Sequence, residues 1–312
     1  MIRLCLLAPV AGLLAFASPL AAQPRDRVLE AAALYADHVV VPNIVYLRSD
    51  GYESKLDVHR PRDVSKPRPT VIFIHGGGWV GGSKEGSMLA VLPYLAMGFA
   101  AANVEYRMAA NAPAPASIED CRCALKWVIA NAKQYGFDTS KIVVTGQSAG
   151  AHLALTTGML TQAAGFDDRC PTPAGSGVAE DNPKVAAIVN WYGITDVWDV
   201  VQGANTRGYG VRWFAGVENK AEVARRASPM TYVRPVLPPI ITIHGDADPT
   251  VPYAQAVVLK DALTRASVVN ELVTIPGGGH GNFVAPQRER AWTAIRAFLD
   301  KLSIPPQVTT AQ

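Results

Sequence analysis

The sequence predicts an α/β fold, a mostly parallel central sheet flanked by helices. Three observations carry this expectation. Short apolar runs of strand length, such as Thr70–Ile74 and Pro239–His244, alternate with helix-length amphipathic stretches along most of the chain. Several of those runs end directly in glycine-rich turns, as the strands of an open parallel sheet do where they carry function. The 312 residues, 49% hydrophobic and 18% charged, suffice for one sizeable core.

Taken in order, the chain opens with one positive charge (Arg3), an uncharged apolar run from Leu4 to Phe16, and small residues ending at Ala22. That is the pattern of a secretory signal peptide over 1–22, leaving 23–312 as a single domain. Pro9, Gly12 and the shortness of the run argue against an uncleaved anchor. Arg25–Asp37 reads as a short helix, and Val39–Leu47 and Lys55–His59 as strands around the turn Ser49-Asp50-Gly51. Thr70–Ile74 reads as a strand buried on both faces. Met88–Met97 reads as a helix, Phe99–Tyr106 as a strand and Ser117–Tyr135 as one long amphipathic helix stopped by Gly136. Ile142–Thr145 is a strand and Ala151–Leu160 a helix. Gly165–Asn182 is a loop, and Val185–Trp191 another strand. The stretch 193–228 breaks the rhythm with Trp198, Tyr209, Trp213 and Phe214, and reads as a lid or pocket insertion over a site. Pro239–His244, Tyr253–Ala266, Glu271–Ile275 and Gln287–Lys301 complete the alternation, and Ser303–Gln312 is a tail.

Composition excludes some classes of function. The formal charge of +3 arises from scattered Lys and Arg, with no basic run interleaved with aromatics, so nucleic acid is not an expected partner. No C-x-x-C or H-E-x-x-H spacing suggests a metal. After signal removal three cysteines remain. Cys121 and Cys123 lie two apart on a predicted helix and should not pair with each other. Cys170 is left to pair with either, or all three stay as thiols.

The chemistry gathers at three glycine-rich turns. Gly146-Gln147-Ser148-Ala149-Gly150 lies between a strand and a helix, the setting in which G-x-S-x-G presents a nucleophilic serine. His75-Gly76-Gly77-Gly78-Trp79-Val80-Gly81-Gly82 admits three readings: a dinucleotide fingerprint, a P-loop, or an oxyanion loop. The first lacks its acidic residue and the second has Ser83-Lys84 reversed. Bare backbone N–H groups converging on a carbonyl oxygen favour the third. Asp248 and His280 follow later strands, and the order Ser, Asp, His is that of an α/β-hydrolase. Ser148 is then the nucleophile, His280 its base and Asp248 the orienting acid, with Gly77, Gly78 and Ala149 as oxyanion donors. Asp246 competes with Asp248. His75, His152 and His244 read as structural, buttressing a loop, packing on a helix and ending a strand. Asp120 and Asp196 are weaker polar candidates. Trp79, Gln147, Trp191, Trp213 and Phe214 are candidate pocket residues.

Across Leu56–Phe298 the sequence resembles the α/β-hydrolase esterases of the H-G-G-G, hormone-sensitive-lipase-like branch. It is most similar to the bacterial group of bacteroidetes-type feruloyl and acetylxylan esterases. The segments carrying this are His75–Lys84, Glu105-Tyr-Arg107, Ile118–Cys121, Gly146–Gly150, Trp191–Asp196, Ser228–Tyr232, His244–Pro252 and Gly279-His-Gly281. The resemblance implies the Ser148/Asp248/His280 triad and no cofactor. Gln147 stands where these families often have Asp or Glu, and the large N-terminal cap of that branch is not expected, since Arg25–Asp37 is too short for it. The expected function is carboxylic-ester hydrolysis in the periplasm or outside the cell, on small or polysaccharide-linked short-acyl, acetyl or feruloyl esters. A prolyl-oligopeptidase-type peptidase and a non-catalytic binding protein on the same scaffold are the alternatives.

Overall fold

The computed structural model describes residues 32, 34–171 and 183–305. The predicted signal segment 1–22 lies outside them, as do most of the Arg25–Asp37 helix, the later half of the 165–182 loop and the end of the tail. Among the described residues an 8-stranded sheet runs in the order β1-β2-β4-β3-β5-β6-β7-β8. Its strands are β1 (His38–Ser49), β2 (Tyr52–Pro61), β3 (Arg68–Ile74), β4 (Ala100–Val104), β5 (Phe137–Gln147), β6 (Ala187–Trp191), β7 (Ile240–Gly245) and β8 (Asn270–Ile275). β1 and β2 form an antiparallel hairpin, and β2 pairs antiparallel with β4; all other pairings are parallel. The hairpin turns on Asp50 and Gly51 at φ 51° and 78°, the left-handed pair of a type I′ turn.

Side-chain alternation along the strands builds a core on each face. From β3, Val71 and Phe73 join Val91, Tyr94 and Leu95 of α1 (Met88–Ala96) and Ile295, Phe298 and Leu299 of α9 (Ala285–Lys301). Ile72 and Ile74 join the opposite layer, with α2 (Ala116–Ala130), α4 (Ala149–Met159) and α8 (Ala254–Arg265). Strands buried on both faces explain the uninterrupted apolar runs in the sequence.

Two elements differ from expectation. The helix read as continuous to Tyr135 ends at Ala130 and restarts as the short α3 (Ala132–Tyr135). At the break Asn131 leaves helical backbone (φ −102°, ψ 11°), and its side chain and its N–H both donate to the Trp127 carbonyl, at 2.8 and 3.0 Å. The 193–228 insertion holds short helices α5 (Val197–Val201), α6 (Gly208–Trp213) and α7 (Lys220–Ala227). Val197, Val200, Trp213, Phe214, Ala224 and Ala227 from it are fully buried in the core layer. Helices this short do not repeat often enough to show a period in sequence.

Cys170 is joined to Cys123 with Cα atoms 4.8 Å apart, and Cys121 is a buried free thiol. Arg122, between them, reaches the Asp167 carboxylate at 2.7 and 2.6 Å and the carbonyls of Thr157 and Leu160. Ion pair and disulfide together fix the segment after α4 onto α2. No helix of the described residues is long and apolar enough to cross a membrane.

Candidate active site

The turn between β5 and α4 puts Ser148 at φ 55° and ψ −121°, a region that costs a non-glycine residue free energy and marks strained functional turns. The flanking glycines are there for close approach. A Cβ on Gly146 would lie 2.4 Å from the Gly150 carbonyl oxygen, and one on Gly150 would lie 2.2 Å from that of Ile74. Helix α4 can therefore start directly against the end of β3. The Ser148 N–H donates to the Trp191 carbonyl at 3.0 Å, tying the turn to β6.

Ser148 Oγ is 2.8 Å from His280 Nε2, and His280 Nδ1 is 2.7 Å from Asp248 Oδ2. The network assigns Nδ1–H as donor to the carboxylate and leaves Nε2 to accept the serine proton. Asp248 follows β7 and its side chain is fully buried. Its Oδ1 accepts the N–H of Thr250 at 2.8 Å and Val251 at 3.0 Å. Burial alone would raise this carboxyl. The bonds from His244, His280 and the two backbone donors outweigh burial and hold it well below the ordinary carboxylate range. Asp246, the rival acid, accepts from Gly277 N–H at 2.7 Å and so braces the backbone of the histidine loop. Tyr192 packs edge-on against the His280 ring at 4.8 Å.

The glycine loop after β3 adopts left-handed backbone at Gly77 (φ 118°) and Gly78 (φ 61°). It folds back on itself, with Val80 and Gly81 N–H both donating to the Gly77 carbonyl at 3.1 Å. A Cβ on Gly76 would lie 2.8 Å from the Gln147 carbonyl oxygen and 3.6 Å from Ser148 Cβ, so the loop abuts the serine turn. The N–H groups of Gly77, Gly78 and Ala149 donate to no acceptor among the described residues. His75 supports the loop. Its Nδ1 bonds the Gly76 carbonyl at 2.7 Å, its Nε2 lies 3.2 Å from Glu105, and its ring stacks on Tyr106 at 4.4 Å. Glu105 in turn accepts the Lys84 N–H at 2.9 Å. His152 receives the Trp79 indole N–H at 3.2 Å and donates to the Ala227 carbonyl at 2.8 Å.

The expected pocket residues are not brought together as a lining. Trp79, Trp213 and Phe214 are fully buried. Trp79 stacks on Trp213 at 4.1 Å beneath the glycine loop, because its indole N–H is satisfied inward by His152. Trp191 is buried against Trp292 in the opposite layer. Gln147 is half-buried at the end of β5. An open cleft of about 590 Å³ instead lies beside His280, lined by Ala247, Pro249, Thr250, Gly277, Gly279 and Asn282. Asp120 is spent on Arg107, at 2.7 Å, and Asp196 caps α5 through the Trp198 N–H at 3.0 Å.

Three residues have a part at the site that the sequence does not show: there His244 reads as a strand end, Tyr209 as one of the aromatics of 193–228, and Tyr192 is not singled out. His244 reaches Asp248, at 3.3 Å; its spacing of four residues from the acid was the available signal. Tyr192 holds the His280 ring from a left-handed position (φ 43°) that no sequence signal marks. Tyr209 of α6 lies against Gly78, where a Cβ would come within 2.7 Å of its own Cβ, and bonds the Thr250 carbonyl at 3.3 Å. It therefore bridges the glycine loop and the acid loop.

Comparison with known proteins agrees with this architecture. The chain is 34% identical to Esterase LipC of Mycobacterium tuberculosis, over 75% of this chain and 58% of that protein. It is 28% identical to Esterase LipQ of the same organism, over 81% of this chain and 60% of that one. It thus spans about three fifths of the length of these curated relatives. A thermophilic esterase of the planctomycete Thermogutta terrifontis, solved with propionate bound, matches with a TM-score of 0.70 and 25% identity, over 87% of this chain and 97% of that one. The fold is that of the α/β-hydrolases. The model of the BD-FAE family matches residues 56–263, two thirds of the sequence, and the chain belongs to that family.

Proposed function

We propose that the chain is a serine carboxylic-ester hydrolase that works through an acyl-enzyme. The observation that carries this reading is the hydrogen-bonded line from Ser148 Oγ through His280 to Asp248, starting at a strained turn. Ser148 Oγ attacks the ester carbonyl while His280 Nε2 takes its proton. Asp248 keeps the imidazole in the tautomer that can do so and stabilises the imidazolium. The developing oxyanion accepts from Gly77, Gly78 and Ala149 N–H, where one such donor is worth about 3–4 kcal/mol. The imidazolium then gives its proton to the leaving alkoxide. Water, activated by the same histidine, releases the acid and restores Ser148.

The cleft beside His280, which meets the triad at the base and not at Ser148, supports small or polar esters. None of its lining residues is aromatic beyond His280 itself or long and aliphatic. Short-acyl or acetyl esters, free or on polysaccharide, suit such a wall better than a long lipid chain, which needs apolar cover; the feruloyl alternative rests on the family alone. The signal-like segment 1–22 and the Cys123–Cys170 disulfide support a periplasmic or secreted enzyme, because disulfides persist in oxidising compartments.

The test is turnover of p-nitrophenyl esters of increasing acyl length, methyl ferulate and a chromogenic peptide by the mature chain, beside Ser148→Ala. Ester turnover that survives Ser148→Ala sinks the mechanism, and peptide turnover above ester turnover moves the protein to the peptidases. Amino-terminal sequencing of exported protein tests the cleavage after Ala22.

A further inference from the structure

We infer that His244 is a positioning residue that binds Asp248 from the side opposite His280 and weakens the hold of that carboxylate on the His280 proton. The inference rests on the hydrolase reading above.

His244 lies on β7, four residues before the acid, with a fully buried side chain. Its Nε2 is 3.0 Å from the Val251 carbonyl oxygen and 3.3 Å from Asp248 Oδ2. Carbonyl and carboxylate oxygens only accept, so Nε2 carries a proton; it donates that proton to the Val251 carbonyl while standing within ion-pair distance of Asp248 Oδ2. Nδ1 has no partner among the described residues. The ring is thus held as the Nε2–H tautomer.

The oxygen it approaches is the one that holds the base. His280 Nδ1–H donates to the same Oδ2, while Oδ1 carries the Thr250 and Val251 N–H groups. Each added donor lowers the affinity of a carboxylate for further positive charge. The His244 N–H also turns the positive end of its dipole toward the place where the imidazolium forms. Both effects bear on the one proton that Asp248 and His280 share.

The other titratable groups facing this cluster among the described residues are three phenols and the Asp246 carboxylate. Tyr192, at the end of β6, packs between the two imidazoles, 4.8 Å from His280 and 6.5 Å from His244. Tyr253, preceding α8, meets His244 edge-on at 5.7 Å. Tyr209 of α6 reaches the acid loop at Thr250. Burial pushes Tyr209 up to about 12 and Tyr192 higher, so both phenols stay neutral across the working range. Asp246 is occupied by Gly277 N–H. The partner of Asp248 that can be exchanged without touching His280 or the backbone is His244.

The experiment compares the wild type with His244→Leu and His244→Asn, whose side chains cannot bring a donor to Asp248, and with His244→Gln, whose amide can. Two readouts are used: kcat/KM against pH on p-nitrophenyl acetate, and the NMR titration midpoint of the His280 ring in a Ser148→Ala background. In His244→Leu and His244→Asn both the acid limb and the midpoint rise by about half to one unit. At a pH well below that limb, kcat/KM then drops roughly three- to tenfold. His244→Gln stays near the wild type. If either folded variant lacking the donor keeps the wild-type midpoint, or moves it down, the inference is overturned. A purely structural role would lower stability or kcat and leave the midpoint in place. Absence of ester turnover in the wild type would refute the hydrolase reading instead, and the NMR midpoint would still decide the role of His244.

Discussion

Acidification should loosen the support of the glycine loop through one buried ring. His152 is fully buried on α4, accepts the Trp79 indole N–H at Nδ1 and donates from Nε2 to the Ala227 carbonyl. Burial pushes its imidazole down from 6.5 to about 4, against the opposing effect of the Ala227 bond. A proton on Nδ1 would set two donors face to face, so protonation and the Trp79 bond exclude each other. Between these two values the unfolded chain holds a proton that the folded chain does not, so stability rises with pH across this window and is lost on acidification. At 1.36 kcal/mol per unit, going from about pH 7 to about pH 5 removes about 2 kcal/mol through this ring. The assay is urea unfolding of the wild type and His152→Gln at a series of pH values. Gln cannot titrate, so the stability advantage of the wild type should shrink by about that amount as pH falls. An advantage independent of pH would show that the ring is already charged, or is not buried as described, and would refute the reasoning.

Gly78→Ala must place a Cβ at φ 61° and within 2.7 Å of Tyr209 Cβ. The loop then shifts, and kcat on a short ester should fall by roughly a hundredfold with KM changed only a few-fold, the signature of a lost oxyanion donor. Steady-state kinetics decide it, and an unchanged kcat would remove Gly78 from the donors. Cys123→Ser opens a loop between residues 47 apart, which by chain entropy should cost about 4 kcal/mol. Chemical denaturation with and without reductant should lower the wild-type midpoint and leave that of Cys123→Ser unmoved.

Much of the parallel sheet was legible because its strands are buried on both faces and read as uninterrupted apolar runs, as in Thr70–Ile74. The order of Ser148, Asp248 and His280 was legible for a related reason. Each follows the carboxyl end of a strand, and glycine turns there leave a strong local mark. The pocket was not legible. Trp79, Trp213 and Phe214 are large aromatics near glycine-rich or irregular stretches, a composition that suits a binding wall and a core equally well. Burial decided between them, and it depends on how α6 packs under the glycine loop, which no local pattern encodes. The part of His244 was hidden likewise, since its place at a strand end does not reveal which way its only N–H points.

The stack of Trp79 on Trp213 has a consequence for protein engineering. Residues 193–228 look like a separable cassette that could be exchanged to change substrate preference. However, Trp213 is the plate on which Trp79 rests, the Ala227 carbonyl holds the histidine that satisfies its indole, and Tyr209 leans on Gly78. A chimera carrying a foreign segment there would inherit its own selectivity and lose the footing of the donors that every substrate shares. On the proposed function, recognition and rate would therefore be coupled. A point change at Asn282, on the wall of the cleft beside His280, touches none of these contacts.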